Sequence, residues 1–574
     1  MFQQPLEPIA GSLTLSALVA ALPLITIFVL LGWARLKAHW AGLAALAVAI
    51  SVAIFGYGMP AKLAVLSASQ GAVFGLLPIM AIVLAALWVY QLTVVTGRFE
   101  DLRAAFHLIS DDPRIQAIVV AFCFGGLLEA LAGFGAPVAI TGVMLVAMGF
   151  SAHRAATVVL VANTAPVAFG AIGTPILTAG ALTGIAPALI GGYVGRQTPV
   201  LAFFVPLLLL LLVDGVRGIR EIWPAAVVTG VAFAISQFVS SNYISVELTD
   251  IIASLASLLA LVVFLQVWRP SATITTAARE RLANRARQDH GDYELTGLRG
   301  TPVTGAATST TTISPAGAAL TAAPLAASRV FMALLPYLLI IAVFTVAKLS
   351  APVQKWLLST DLKVHWPGLD GQVLSTVGKP LTSTVYTFAW LSSPATMLVF
   401  AGLAVIVVYR VSPAVAIQEL AKMVHKLRFA FLTVTSVLAL AYVMNQSGQT
   451  ITIGNWIAGT GAAFAFLSPI LGWLGTAVTG SDTSANALFA TLQQATAAKA
   501  GIDPALVVAA NTSGGVLGKM ISPQNLTIAA TAVGILGRES DLFRFAIKWS
   551  AGLLFVMCLL VGLQSTPVLR WMLP

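Results

Sequence analysis

The sequence predicts an all-α polytopic membrane protein, with about 12 full membrane crossings plus two re-entrant hairpins, arranged as an inverted-topology repeat with broken helices. Three observations predict it. Of the 574 residues, 58% are hydrophobic and only 9% are Asp, Glu, Lys or Arg, whereas soluble domains carry about a quarter charged residues. Apolar runs of roughly 17–25 residues recur along the whole chain, the length a helix needs to cross a bilayer; a β-barrel would show short alternating segments. Two related stretches, one in each half, place Gly, Pro, Asn and Thr where a spanning helix keeps its hydrogen bonds within itself.

The first apolar run, 13–33, follows "MFQQPLEPIAGS", which has no basic stretch, and no small-residue cleavage site comes after it. It reads as a retained helix, not a signal peptide. Further spans read as 39–57, 70–96, 198–213, 222–240 and 251–267, and a later set as 330–348, 393–410, 430–446 and 546–564. Two intermediate regions, 115–190 and 462–535, are apolar but rich in Gly, Pro, Ser, Thr and Asn. Basic residues orient the chain. Arg35 and Lys37, then Arg98, Arg103 and Arg114, then Arg217 and Arg220 mark inside loops, as do Arg410, Lys422, Lys426 and Arg428, and later Arg538, Arg544 and Lys548. Segments 241–250 and 350–390 then face out, and both termini are external. Residues 268–328, rich in Ser, Thr, Ala, Gly and Arg, read as a disordered cytoplasmic linker.

The net charge of +10 follows from the positive-inside rule, so the expected partner is the lipid bilayer and no nucleic acid. Cys123 and Cys558 lie in apolar segments, which supports neither a disulfide framework nor a thiolate metal site.

"VANTAPVAFGAIGTP" (161–175) has a partner in "AANTSGGVLGKMISPQ" (509–524). The offsets agree: 511−163 = 348, 518−170 = 348 and 523−175 = 348, for Asn, Gly and Pro. Adding this offset carries the inside loop at 33–39 onto the outside segment 381–387. The halves therefore have opposite orientations, with an odd number of crossings in each. That assigns 1–214 to a first inverted repeat, 215–267 to two connecting helices, 268–328 to the linker and 329–574 to the second repeat. On this count 115–150 is a re-entrant hairpin open to the cytoplasm, and 462–500 one open to the outside. Inverted repeats with interrupted helices mark secondary transporters, whose half-helix N-termini bind anions near the midplane.

The first hairpin carries Glu129 in an apolar run, with Gly133, Gly135 and Pro137 at its tip. The second carries Gly480, Ser481, Asp482, Thr483, Ser484 and Asn486. Ionisable residues inside a membrane are costly and are functional candidates. An anion would rest on Asn163, Thr164, Asn511, Thr512 and Ser513 at the breaks, with Gly135, Ser481 and Thr483 at the tips. Lys519 either touches that anion or neutralises Asp482. With no Walker A sequence and no HExxH, the chain does not read as an enzyme and needs no cofactor or metal. Energy then comes from an ion gradient: Glu129 or Asp482 could carry a proton, while the Asn-Thr breaks could instead hold Na⁺.

"EALAGFGAPVAI" (129–140), "GSDTSANALF" (480–489) and "NTSGGVLGKMISPQNLTIAA" (511–530) resemble the L-lactate permease family of bacterial inner membranes, and the resemblance covers nearly the whole chain. It implies a proton symporter for L-lactate, often also D-lactate and glycolate. The wider ion-transporter superfamily implies a scaffold from 13–96 and 330–446, and an elevator-like moving domain from 115–213 and 462–564. The resemblance also admits a homo-oligomer. The alternatives are a Na⁺-coupled carboxylate transporter and an anion channel.

Overall fold

The computed structural model describes residues 1–30, 34, 36–107, 109–133, 135–295, 327–535 and 538–574. Helix starts are set locally by a short capping side chain followed by proline. Asp112–Pro113, Ser393–Pro394, Ser412–Pro413, Asp503–Pro504 and Ser522–Pro523 each aim a side-chain oxygen at a first-turn N–H. The proline then takes a position where no N–H is needed.

Among the described residues, nine helices are long and apolar enough to cross a membrane, or ten if the bent pair Ala152–Ala162 and Val167–Thr183 is one span. This is fewer than the 12 or so expected, for two reasons. Leu13–Phe28 and Pro394–Tyr409 are apolar but short. Pro187–Ile244 runs for 58 residues, nearly three times the roughly 20 that one span needs. Its backbone leaves the helix at Gly215, with φ 70° and ψ −158°, a conformation that only glycine adopts without a Cβ clash. The two limbs fold back on each other. Arg196 Nε donates to Asn242 Oδ1 at 3.0 Å and Thr198 Oγ1 to Gln237 Oε1 at 3.3 Å. The long element is thus an antiparallel pair, matching the helices expected at 198–213 and 222–240.

Three expectations are corrected. The span read as 430–446 is part of Pro413–Ser447, so Lys422, Lys426 and Arg428 sit on a helix and not in a loop. The segment 350–390 is not a plain loop. It holds a helix, Ala351–Ser359, and Leu362–His365 pairs antiparallel with Val385–Phe388, while Val373–Leu374 pairs parallel with Phe2–Gln3. Those strands are short, and one finds its partner at the far end of the chain, beyond the reach of local patterning. That parallel pair puts the N-terminus and segment 350–390 on one side of the molecule. The linker read as disordered begins with a helix, Ala272–Leu295, anchored where Arg279 Nη2 donates to the Asp111 carbonyl at 2.7 Å. Residues 296–326 of that linker, and Arg35, lie outside the described residues. Within the stretch 241–250, Glu247, Thr249 and Asp250 are all buried.

Both halves carry, in the same order, a helical hairpin and then a broken pair. Helices of one half pack on those of the other: Trp88 Nε1 donates to the Ala416 carbonyl at 2.9 Å, and Gln446 Nε2 to Gln70 Oε1 at 2.8 Å.

Candidate functional site

The first hairpin has arms Pro113–Leu131 and Ala136–Ala147. Most spans of a membrane protein show one face to lipid, but this first arm does not: 94% of its most apolar stretch is buried, against 28% to 56% in the other spans among the described residues. Its middle, Ile118–Phe124, widens into a π-helix, an irregularity frequent at functional sites. Gly135 turns the tip with φ 86°, and a Cβ there would stand 2.4 Å from Ile528. The second hairpin has arms Phe464–Thr479 and Asp482–Ala500. Ser481 caps its second arm, accepting from the Ser484 N–H at 3.3 Å.

The two Ala-Asn-Thr sites differ. In the first, Ala152–Ala162 ends at Asn163, and the chain bends by 62° before the next helix. Ala171, Ile172 and Gly173 follow with φ 45°, 58° and 71°. A β-branched Ile in that region is strained, by roughly 1–3 kcal/mol. Two prolines enforce the break: Pro166 lacks an N–H, and Pro175 would clash with the Ala171 carbonyl in a continuous helix. In the second, Pro504–Gly518 runs unbroken through Asn511, Thr512 and Ser513 and yields only at Lys519–Ile521, before Pro523–Ala532. The expected unwinding at Asn511 is therefore corrected. Pro166 aligns with Gly514 (166 + 348 = 514), and glycine leaves the helical hydrogen bond in place. The two breaks coincide only at their ends, where Thr174–Pro175 and Ser522–Pro523 restart the helices.

Side-chain bonds follow this difference. Asn511 Nδ2 and Thr512 Oγ1 both donate to Asn486 Oδ1, at 3.1 and 3.0 Å, and Ser513 Oγ donates to Gln197 Oε1 at 2.7 Å. These three residues clamp helices together. Asn163 Oδ1, by contrast, is buried without a partner among the described residues. Thr164 bonds its own turn through the Val161 carbonyl at 2.7 Å. Thr174 and Thr483 meet at 3.3 Å, joining the first break to the tip of the second hairpin.

Charge converges at the same place. Lys519 Nζ lies 2.5 Å from Glu129 Oε1, with both side chains buried. The alternative partner, Asp482, takes only a 3.3 Å bond from Thr476 Oγ1. Glu129 Oε2 and Asp482 Oδ2 have no partner among the described residues. A small crevice beside Lys519 is lined by Val138, Leu160, Asn163, Thr164, Met520 and Asn525. No group of three His, Cys, Asp or Glu side chains among the described residues could hold a metal.

The L-lactate permease family profile matches residues 16–568. The chain belongs to the L-lactate permease family. It is 42% identical to an L-lactate permease of Bacillus subtilis, covering 100% of this chain and 99% of that one. It is 41% identical to the glycolate permease GlcA of Escherichia coli, covering 97% and 96%. Among solved structures, the Alcanivorax borkumensis YdaH transporter is similar at 14% identity and a TM-score of 0.42, over 87% of each chain.

In this family member the structure adds two residues that sequence reasoning passed over. Asp250 is fully buried, with Oδ2 unpartnered among the described residues. Its Oδ1 accepts from Gln237 Nε2 at 3.3 Å, and the same nitrogen holds the carbonyl of Ala165 in the first break at 3.2 Å. The available signal was an acid directly before an apolar run, "TDIIASLASLLALVVF". Asn525 sits in the first turn after the Ser522–Pro523 restart, where a polar side chain faces the break.

Proposed function

We propose that the protein is a secondary active transporter that imports L-lactate, and also D-lactate and glycolate, with one proton across the bacterial inner membrane. The observation that carries this reading is the buried Lys519–Glu129 pair beside the crevice. Relatives named L-lactate permease and glycolate permease support the substrate class. Coupling follows from charge balance. A substrate carboxylate needs the Lys519 ammonium, which Glu129 occupies in the empty site. Once displaced, a buried carboxylate without a cation is too costly to keep ionised, so Glu129 takes a proton. Empty, the site is neutral as Lys519 with Glu129; loaded, it is neutral as Lys519 with substrate and a protonated Glu129. Anion without proton, or proton without anion, leaves a net buried charge, and that carrier does not reorient. Asp250 and Asp482 hold their protons throughout. The hairpins and broken pairs move as one elevator-like unit against the remaining helices, with both termini on the periplasmic side.

Reconstituted vesicles test this. An inwardly directed proton gradient should drive uphill accumulation of labelled L-lactate, unaffected by an imposed membrane potential and by exchanging Na⁺ for choline. Glu129→Gln should abolish uphill accumulation while lactate–lactate exchange persists. Full gradient-driven accumulation in that variant would remove Glu129 from the coupling step.

A further inference from the structure

We infer that Asn525 is the specificity-determining acceptor for the 2-hydroxyl group of the substrate, an inference that rests on the carrier reading above. Asn525 Nδ2 donates to the Lys519 carbonyl at 3.0 Å and lies 3.0 Å from Ser522 Oγ. A carbonyl can only accept, so the amide orientation is settled: nitrogen toward Lys519, oxygen the other way. That oxygen is buried, with the residue 1% exposed, and has no partner among the described residues. Asn525 lines the crevice with Lys519, and so does Asn163, whose Oδ1 is also unpartnered. The residues around the crevice thus carry one ammonium and two bare carbonyl-type acceptors, beside apolar Val138, Leu160 and Met520.

A 2-hydroxymonocarboxylate completes this set. Its carboxylate takes the ammonium, its hydroxyl donates to Asn525 Oδ1, and a methyl at C2 faces the apolar wall. An acid without the hydroxyl leaves the acceptor buried and unpaired. One whose C2 oxygen only accepts, as a ketone or ether does, meets Asn525 lone pair to lone pair. A buried group left unsatisfied costs about 1–3 kcal/mol, so discrimination should be roughly 10- to 100-fold.

Counterflow in vesicles of the wild-type protein, with unlabelled acids competing against labelled L-lactate, reads this directly. L-lactate and glycolate should compete, while propionate, 2-methoxypropionate and pyruvate should be weaker by roughly 10- to 100-fold. In Asn525→Leu the lactate-to-propionate preference should fall toward one. Equal competition by 2-methoxypropionate and pyruvate in the wild-type protein overturns the assignment, as does an unchanged preference in a folded Asn525→Leu. If that variant does not fold, Asn525→Ala reads the same preference, and an unchanged preference there overturns the assignment. A wild-type protein that takes up no hydroxy acid sinks the carrier reading itself; uptake without discrimination sinks only the role of Asn525.

Discussion

The first hairpin holds a buried ion cluster at each end of its first arm, and the two are finished differently. At the start, Arg114 is completely buried, and its guanidinium is saturated. Nε and Nη2 grip both oxygens of Asp112 at 3.0 and 2.8 Å, and Nη1 reaches Asp214 Oδ2 at 3.1 Å and Glu221 Oε2 at 2.5 Å. Arg281, from the helix after the connecting pair, adds a 2.6 Å contact to Asp214. The cluster ties the hairpin base to the Gly215 turn. At the other end, Lys519 has one close carboxylate, and three acids around it each keep an unpartnered oxygen among the described residues. Both clusters bury charge. A saturated network fixes geometry, while a starved one tolerates a cost of about 1–3 kcal/mol per bare group because a ligand or proton will complete it.

Three substitutions sharpen or break this contrast. Lys519→Met should have the largest effect on function, lowering lactate uptake by on the order of 100-fold or more while the melting temperature moves little, since Glu129 can take a proton when left alone. A large loss of stability would make Lys519 structural, like Arg114. Arg114→Met should do the reverse. It removes the central cation of three carboxylates, leaving Asp112 without one among the described residues and Asp214 and Glu221 with Arg281, and should cost about 3–5 kcal/mol of stability, seen as a lowered melting temperature, while the protein that does fold keeps its wild-type KM for lactate. A folded Arg114→Met with a greatly raised KM would erase the distinction. The smallest effect is expected from Asp250→Asn, which mimics an acid that never gives up its proton. Uptake should change by less than about tenfold, and one proton should still accompany each lactate. Loss of coupling there would transfer the proton from Glu129 to Asp250.

Much of the site was legible in residue order. Glu129 and Lys519 stand out as charges in apolar runs, and Gly135 and Gly480 mark tips because a reversal needs a backbone conformation that other residues resist. The two halves were less alike than their shared Ala-Asn-Thr suggests. The difference was written in Pro166 opposite Gly514, a pair that a motif comparison skips because it is a mismatch.

The sequence by itself determined the membrane class, where helices begin, and which ionisable groups are out of place, because each depends on composition, a cap or a proline acting within a few residues. Only the tertiary structure decided that Lys519 pairs with Glu129, 390 residues away, that Asp250 is buried beneath the first break, and that Asn511 holds helices together while Asn163 keeps an oxygen without a partner among the described residues. Those outcomes depend on which buried groups find a partner, and burial is a property of the packed assembly and not of any one segment.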